Sequence, residues 1–342
     1  MGLLRVKTGR LLERLDSHKQ NLRVHFGKAS KFLLKCQIIK PYVEKGILHG
    51  CICPWEIGVS AEEGAFPILE DFHDTLEAIW IWSYYTGISC KQAFKPNINW
   101  AWEYVVKNWN RFIEEKKENK SLYDCSCVLF SGTLYEEVFK DDEYEKLIVK
   151  AGNRLEKYLK RLESTEGREY HDPFWLTYCL SLAAKKMRQK EWRETAEDFV
   201  KNTIADVKNP FSKIEDEPRH KGPGGHDFFS KNASKALALI SCLSQGNLAK
   251  EIILEKFLPC LPKRFVSRHA DENAWNAHLA AAIGKSYVFT GNKEFLSRYF
   301  VIMDELKRQD VQKSAALPRS PSFSRRESWV TFFYARAYAS IL

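Results

Sequence analysis

His73-Asp74-Thr75-Leu76-Glu77-Ala78-Ile79-Trp80-Ile81-Trp82 is the stretch on which the reading of the chain turns. A short polar pair stands directly before an apolar run with helical spacing. The arrangement returns at Tyr123-Asp124, His171-Asp172, His226-Asp227, Asp271-Glu272 and Glu327-Ser328. Successive copies lie roughly 45 to 56 residues apart, which is the period of a helical hairpin.

Outward from these starts the hairpins follow one another. Asp74 to Tyr85 reads as a very apolar helix closed by Thr86-Gly87, and a more polar partner covers 98–115. Asp124 to Phe130, followed by Ser131-Gly132, pairs with 144–162, and Asp172 to Met187 pairs with 191–207. Asp227 to Ser244 turns through Gln245-Gly246-Asn247 into 248–258. Asp271 to Phe289 turns through Thr290-Gly291-Asn292 into 294–308, and Glu327 to Leu342 has no partner after it. The first helix of each pair is apolar nearly all round and so must be buried on most sides, whereas the second is amphipathic. The expected fold is all-α: an α/α toroid with an inner ring of first helices and an outer ring of second ones. An open helical solenoid is the competing arrangement.

Before the hairpins, residues 1–45 carry eleven Lys and Arg against three acids, most of the net charge of +9. Helices are expected at 3–18 and 28–40, packed on the toroid as a basic N-terminal segment, with Pro41 ending the second. Such a segment suits an anionic partner (nucleic acid, lipid or an acidic protein face) or simply forms a solvated surface. Residues 46–72 read as a long loop at the ring mouth, of the kind that is often functional. Residues 73–342 make up the toroid, the whole chain forming one globular domain. With 44% hydrophobic and 13% aromatic residues the chain can bury a large core, which excludes general disorder.

Charges interrupt Leu3, Leu4 and Val6, so no leader is read, and nowhere do about 18 apolar residues run together. No transmembrane segment is expected. Nine cysteines without a leader suggest a cytoplasmic protein with reduced thiols. Cys51-Ile52-Cys53 and Cys125-Ser126-Cys127 are spaced more tightly than usual zinc ligands. Gly222-Pro223-Gly224-Gly225 lacks the Lys-Ser/Thr ending of a phosphate loop. No metal or other cofactor is expected.

His278-Leu279 and Tyr287-Val288-Phe289-Thr290-Gly291-Asn292-Lys293-Glu294-Phe295-Leu296 resemble the hairpins of the six-hairpin glycosidase-like superfamily. There a helix of small and aromatic residues commonly ends in Thr-Gly-Asp or Thr-Gly-Asn. The resemblance implies an α/α toroid, an architecture shared by polysaccharide lyases, sugar epimerases, terpenoid cyclases and prenyltransferase subunits. The Asp-x-Asp-Asp motif of squalene-cyclase-like enzymes and the Cys-His-Gly pattern of lanthionine cyclases are absent.

In a toroid of parallel inner helices the acidic starts converge at one end. Each acid has a structural use there, since Asp at a helix start accepts amide hydrogen bonds and favours the positive helix end. Asp172-Pro173 fits an N-cap with proline following, and Asp74-Thr75-Leu76-Glu77 resembles a capping box with Asp74 as the cap. Capping does not require the histidines that precede three of the acids. The catalytic candidates are therefore Asp124, Asp172, Asp227 and Asp271, with His73, His171, His226 and Glu272 as substrate contacts or proton shuttles. Trp55 offers a stacking face, and Arg319 and Arg326, in the loop before the last helix, could hold a carboxylate or phosphate. Together these give a carbohydrate-active enzyme of hydrolase, lyase or epimerase type, taking a small-molecule or oligosaccharide substrate. Its rivals are an isoprenoid-handling toroid that uses the arginine loop for diphosphate, and a non-catalytic helical scaffold.

Overall fold

A computed structural model describes residues 2–39, 48–57, 60–61, 64–65, 69–116, 121–162, 172–217, 229–267, 271–323 and 325–342. The described chain is all-α apart from a two-residue-per-strand hairpin, β1 (Ser60–Ala61) with β2 (Gly64–Ala65). It begins with α1, a single helix over Gly2–Leu34. The two expected N-terminal helices are thus one, and it stops before residue 40. The reason is His18 and His25, which look polar in the sequence but continue the buried stripe of Leu15, Phe26, Ala29, Phe32 and Leu33. Both imidazoles stack on Tyr338, at 3.7 and 3.9 Å between ring centres.

The hairpins then follow as α2 (Phe72–Ser89) with α3 (Lys95–Trp109), α4 (Leu122–Phe139) with α5 (Glu145–Arg161), and α6 (Pro173–Lys186) with α7 (Lys190–Val200). They continue as α8 (Lys231–Cys242) with the short α9 (Leu248–Ile252), α10 (Glu272–Thr290) with α11 (Lys293–Gln309), and finally α12 (Ser328–Ala339). In α2 every residue from Asp74 to Ser83 is buried, and in α10 every residue from Glu272 to Gly284. In α5 only a stripe is buried: Ile148, Ala151, Gly152, Leu155 and Leu159. The all-round apolar first helices are therefore enclosed, and the second helices show water one face.

Packing runs in a circuit. Helix α2 lies against α4, α4 against α6, α6 against α8, α8 against α10, α10 against α12, and α12 against α2. Helix α1 covers the last junction, touching α2, α11 and α12.

Three expected boundaries are corrected. Helix α2 runs through Gly87 and closes on Cys90, which takes the left-handed conformation at φ 54°. Helix α4 runs through Ser131-Gly132 to Phe139. A Cβ on Gly132 would come within 2.7 Å of Ile148, so this glycine lets α5 approach rather than ending a helix. Helix α8 starts at Lys231 behind the cap Ser230, not at Asp227, because the Ser230 side chain accepts from the Ala233 amide at 3.2 Å. The Thr290-Gly291-Asn292 turn is as read. Gly291 (φ 70°) donates its amide to the Tyr287 carbonyl, and Asn292 caps α11 through the Glu294 amide.

A polar cluster where α2, α4 and α12 begin

The start of α2 sets the geometry. Asp71, in extended backbone, is the cap, and its carboxylate accepts from the Asp74 amide at 3.1 Å. The capping role expected of Asp74 therefore belongs to the residue three positions earlier. Asp74 is thereby released from backbone duty. Its side chain, 1% exposed, receives the hydroxyl hydrogen of Ser328 at the start of α12. Ser328 also donates its amide to the Pro54 carbonyl at 2.8 Å. Residues 48–57 are thus fixed beside the same helix starts, with Ile52 bridging Gln37 and Asp71.

His73 stands at the solvent side of this cluster, 30% exposed. Its Nδ1 lies 3.1 Å from Asp71 Oδ1 and 3.6 Å from Asp124 Oδ1, and its Nε2 lies 3.4 Å from Asp74 Oδ1. Lys116 Nζ gives Asp124 a counter-ion at 3.2 Å on its other oxygen. Like Asp74, Asp124 lies inside the first turn of its helix, and the Ser121 side chain at that N-cap makes no capping bond. One turn deeper on α2, Glu77 is buried and accepts from the Tyr123 hydroxyl at 2.7 Å. Its second oxygen has no hydrogen-bond partner.

Burial and mutual repulsion distribute the protons. Burial, then the Asp71 charge, pushes the Asp74 carboxyl up to about 8, against the pull of His73 and Ser328. Burial and Asp74 hold Glu77 well above the usual carboxylate range. For His73, burial works against charge, but Asp71, Asp124 and Asp74 together raise it well above 6.5. The cluster therefore sets an imidazole biased toward its charged form among the carboxyl groups of Asp71 and Asp74, which burial biases toward their protonated forms. Asp71, His73 and Asp74 each offer a ligand atom within 4.8 Å of the others. They are the one group among the described residues that could hold a metal ion, and it contains no cysteine.

The other candidates are placed differently. Asp172 caps α6 as read, accepting from the Phe174 amide at 3.0 Å with Pro173 following. Burial raises it to about 6, partly offset by a hydrogen bond from Ser234 and by Lys231. Ser234 Oγ is also 2.8 Å from His278 Nε2. His278 lies in α10 among the edges of Trp175, Phe229 and Phe333, and burial holds it neutral. Asp271 is buried at the start of α10, next to the loop whose Arg319 carbonyl accepts the Asn273 amide at 3.0 Å. His171, His226 and Asp227 lie outside the described residues.

Three candidates stand apart from the cluster or are already engaged. Glu272 sits on the α11 side of α10, where burial and the charge of Glu305 raise its pKa. Arg326 is already paired with Glu56 and lies over the Phe32 ring. Trp55 carries the Arg325 guanidinium 4.3 Å over its ring, so one stacking face is occupied. Arg319 lies over Phe323 at 4.0 Å, and Arg325 binds Glu327 at 3.3 Å.

Sequence reasoning missed Asp71, Glu77, Lys116 and Arg336, and read Asp74 only as a cap. Arg336 had a signal: it is the one cation in the apolar run of α12. Asp71 and Glu77 read as a loop acid and a capping-box partner, and nothing local marked Lys116. The fold and site thus define an all-α protein of packed helical hairpins with a buried acid–histidine cluster at one set of helix starts. No family model, curated protein or solved structure matches the chain. Among the described residues no helix is long and apolar enough to cross a membrane.

Proposed function

We propose that the chain is an α/α toroid of the six-hairpin glycosidase-like kind, acting on a carbohydrate by acid–base chemistry where α2, α4 and α12 begin. The toroid reading is supported by the packing circuit that returns from α12 to α2 and by the enclosure of the first helix of each hairpin. The polar interior of Glu77, Tyr123, Ser234 and His278 favours a catalytic centre over a scaffold. Commitment of Arg325 and Arg326 to Glu327 and Glu56 counts against the isoprenoid reading.

One observation carries the chemistry. Asp74, freed from capping by Asp71 and pushed up to about 8 by burial, lies one side chain away from Asp124 with its lysine counter-ion. Glycosidic cleavage requires two carboxyl groups, one to protonate the leaving oxygen and one to activate water or attack. Asp74 is the acid in this scheme, Asp124 the base or nucleophile, and His73 the bridge that orients both. Asp172, by contrast, acts through the stability of α6.

The test is a panel of oligosaccharides and aryl glycosides given to the wild type, Asp74→Asn, Asp124→Asn and Asp172→Asn. The reading expects turnover by the wild type and losses of about 10²-fold or more at Asp74 and Asp124. It expects a lowered melting temperature with turnover retained at Asp172. Absence of any sugar turnover by the wild type, or full activity in Asp74→Asn, overturns it.

A further inference from the structure

At the opposite end from His73, the six helices of the circuit enclose a cavity of about 290 Å³. Its walls include Trp80 and Tyr84 of α2, Phe130 of α4, Tyr178 of α6, Lys285 of α10 and Arg336 of α12. It is therefore an axial space to which every helix of the circuit contributes. It reaches solvent beside Leu342, which is 38% exposed.

Arg336 is the anomaly in this wall. It is only 5% exposed, and its guanidinium lies 4.3 Å over Trp175 and 5.2 Å from the centre of Phe130. Its polar contact is with the Tyr178 hydroxyl, its Nη1 has no hydrogen-bond partner, and among the described residues no carboxylate forms an ion pair with it or with Lys285. A buried cation is costly unless it is paired. Ring faces return only part of that cost, about 2 kcal/mol for a desolvated contact. The C-terminal helix ends around the cavity add partial negative charge, but this fades within one turn and gives Nη1 no acceptor. The acids of the candidate active site do not serve either: Glu77 acts on Arg336 only through space, its one hydrogen bond being from Tyr123. Burial and the Arg336 charge both lower the Lys285 pKa, as expected for two cations on one wall lacking an anion between them.

We propose that this cavity is a second binding site, separate from the acid–histidine cluster, for a small organic anion with an apolar body. A carboxylate or phosphate head would lie between Arg336 and Lys285, with its Nη1 contact as the charge-assisted bond now missing. The body would lie against Trp80, Tyr84, Phe130 and Tyr178. At about 30 Å³ per water, the space equals that of about ten waters. It suits an eight-carbon chain or a single aromatic ring. The sugar reading does not depend on this site, and this site does not depend on the sugar reading.

The experiment is calorimetric titration of the full chain with octanoate, octyl phosphate, 1-octanol and acetate. The proposal expects octanoate or octyl phosphate to bind at least tenfold more tightly than octanol, which lacks the head charge, and than acetate, which lacks the body. The stronger of the two anions identifies the head. Arg336→Met and Lys285→Met should each weaken the preferred anion tenfold or more while leaving octanol unchanged. If Arg336→Met does not fold, Lys285→Met and the wild-type octanoate-to-octanol ratio decide the matter. Equal affinity for octanol, no binding of any probe, or unaltered binding in the folded variants overturns the proposal.

Discussion

Glu77→Gln tests directly whether the interior of the circuit carries protons in place of charges. Glu77 is buried, accepts from Tyr123 at 2.7 Å, and has a pKa raised well above 4.5 by burial and then by Asp74. The unfolded chain releases this proton near pH 4.5, whereas the folded chain keeps it. The stability contributed by the protonated group is therefore complete below pH 4.5 and is lost as pH rises toward the folded pKa. Glutamine has the same shape, keeps an oxygen for the Tyr123 hydroxyl and does not titrate. At pH 4 the variant and the wild type should differ by no more than about 1 kcal/mol, the scale of one rearranged hydrogen bond. Above pH 4.5 the variant should gain on the wild type by about 1.4 kcal/mol per pH unit while Glu77 stays protonated. Urea unfolding followed by tryptophan fluorescence at several pH values measures it. A pH-independent difference would refute the reasoning. So would a loss of about 3–5 kcal/mol at pH 7, the cost of stripping Arg336 of an ionised partner.

Other outcomes follow from packing and charge elsewhere. Gly284→Ala places a Cβ 2.0 Å from Ser340 Oγ and 2.8 Å from Ile341; a loss of about 1–3 kcal/mol is expected, and an unchanged melting temperature would mean that α10 and the end of α12 are less closely packed. Burial lowers His18 from 6.5 to about 4 and His25 to about 3, so their neutral forms support folding above pH 6.5 and that support is lost as pH falls toward 4. His18→Gln should flatten this acid limb by about 3 kcal/mol, and an identical pH profile would exclude the stacked histidines as its cause. Arg326→Gln leaves Glu56 with Lys35 alone at 3.0 Å; it should cost about 1–3 kcal/mol in denaturant unfolding, part of which a second change, Glu56→Gln, restores. A double mutant no better than Arg326→Gln would show that the pair is not coupled.

The helices were legible because the first member of each hairpin is apolar on every side and the second on one, a contrast that survives in single-sequence form. The errors came where a residue type served an unusual purpose. His18 and His25 are core residues by virtue of Tyr338, hundreds of positions away, so the middle of α1 looked like a break. Gly132 looked like a helix end because its partner Ile148 belongs to the next helix. The site was half legible. Helix starts bearing acids and histidines were visible, but a three-residue shift in the cap, from Asp74 to Asp71, decides which carboxyl is free. Both residues satisfy the local pattern. That Ser328 would meet Asp74 across 254 positions has no local trace at all.

That same contact makes the proposed chemistry conditional on topology. The water-free surroundings of Asp74 exist only once α12 has docked against α2, and this is a pairing of high sequence separation, the kind formed at the greatest entropic cost during folding. Before it forms, Asp74 faces water and behaves as an ordinary carboxylate. A chain with its other helices in place would be well structured yet inert, so catalytic competence and the closing of the circuit would arrive together.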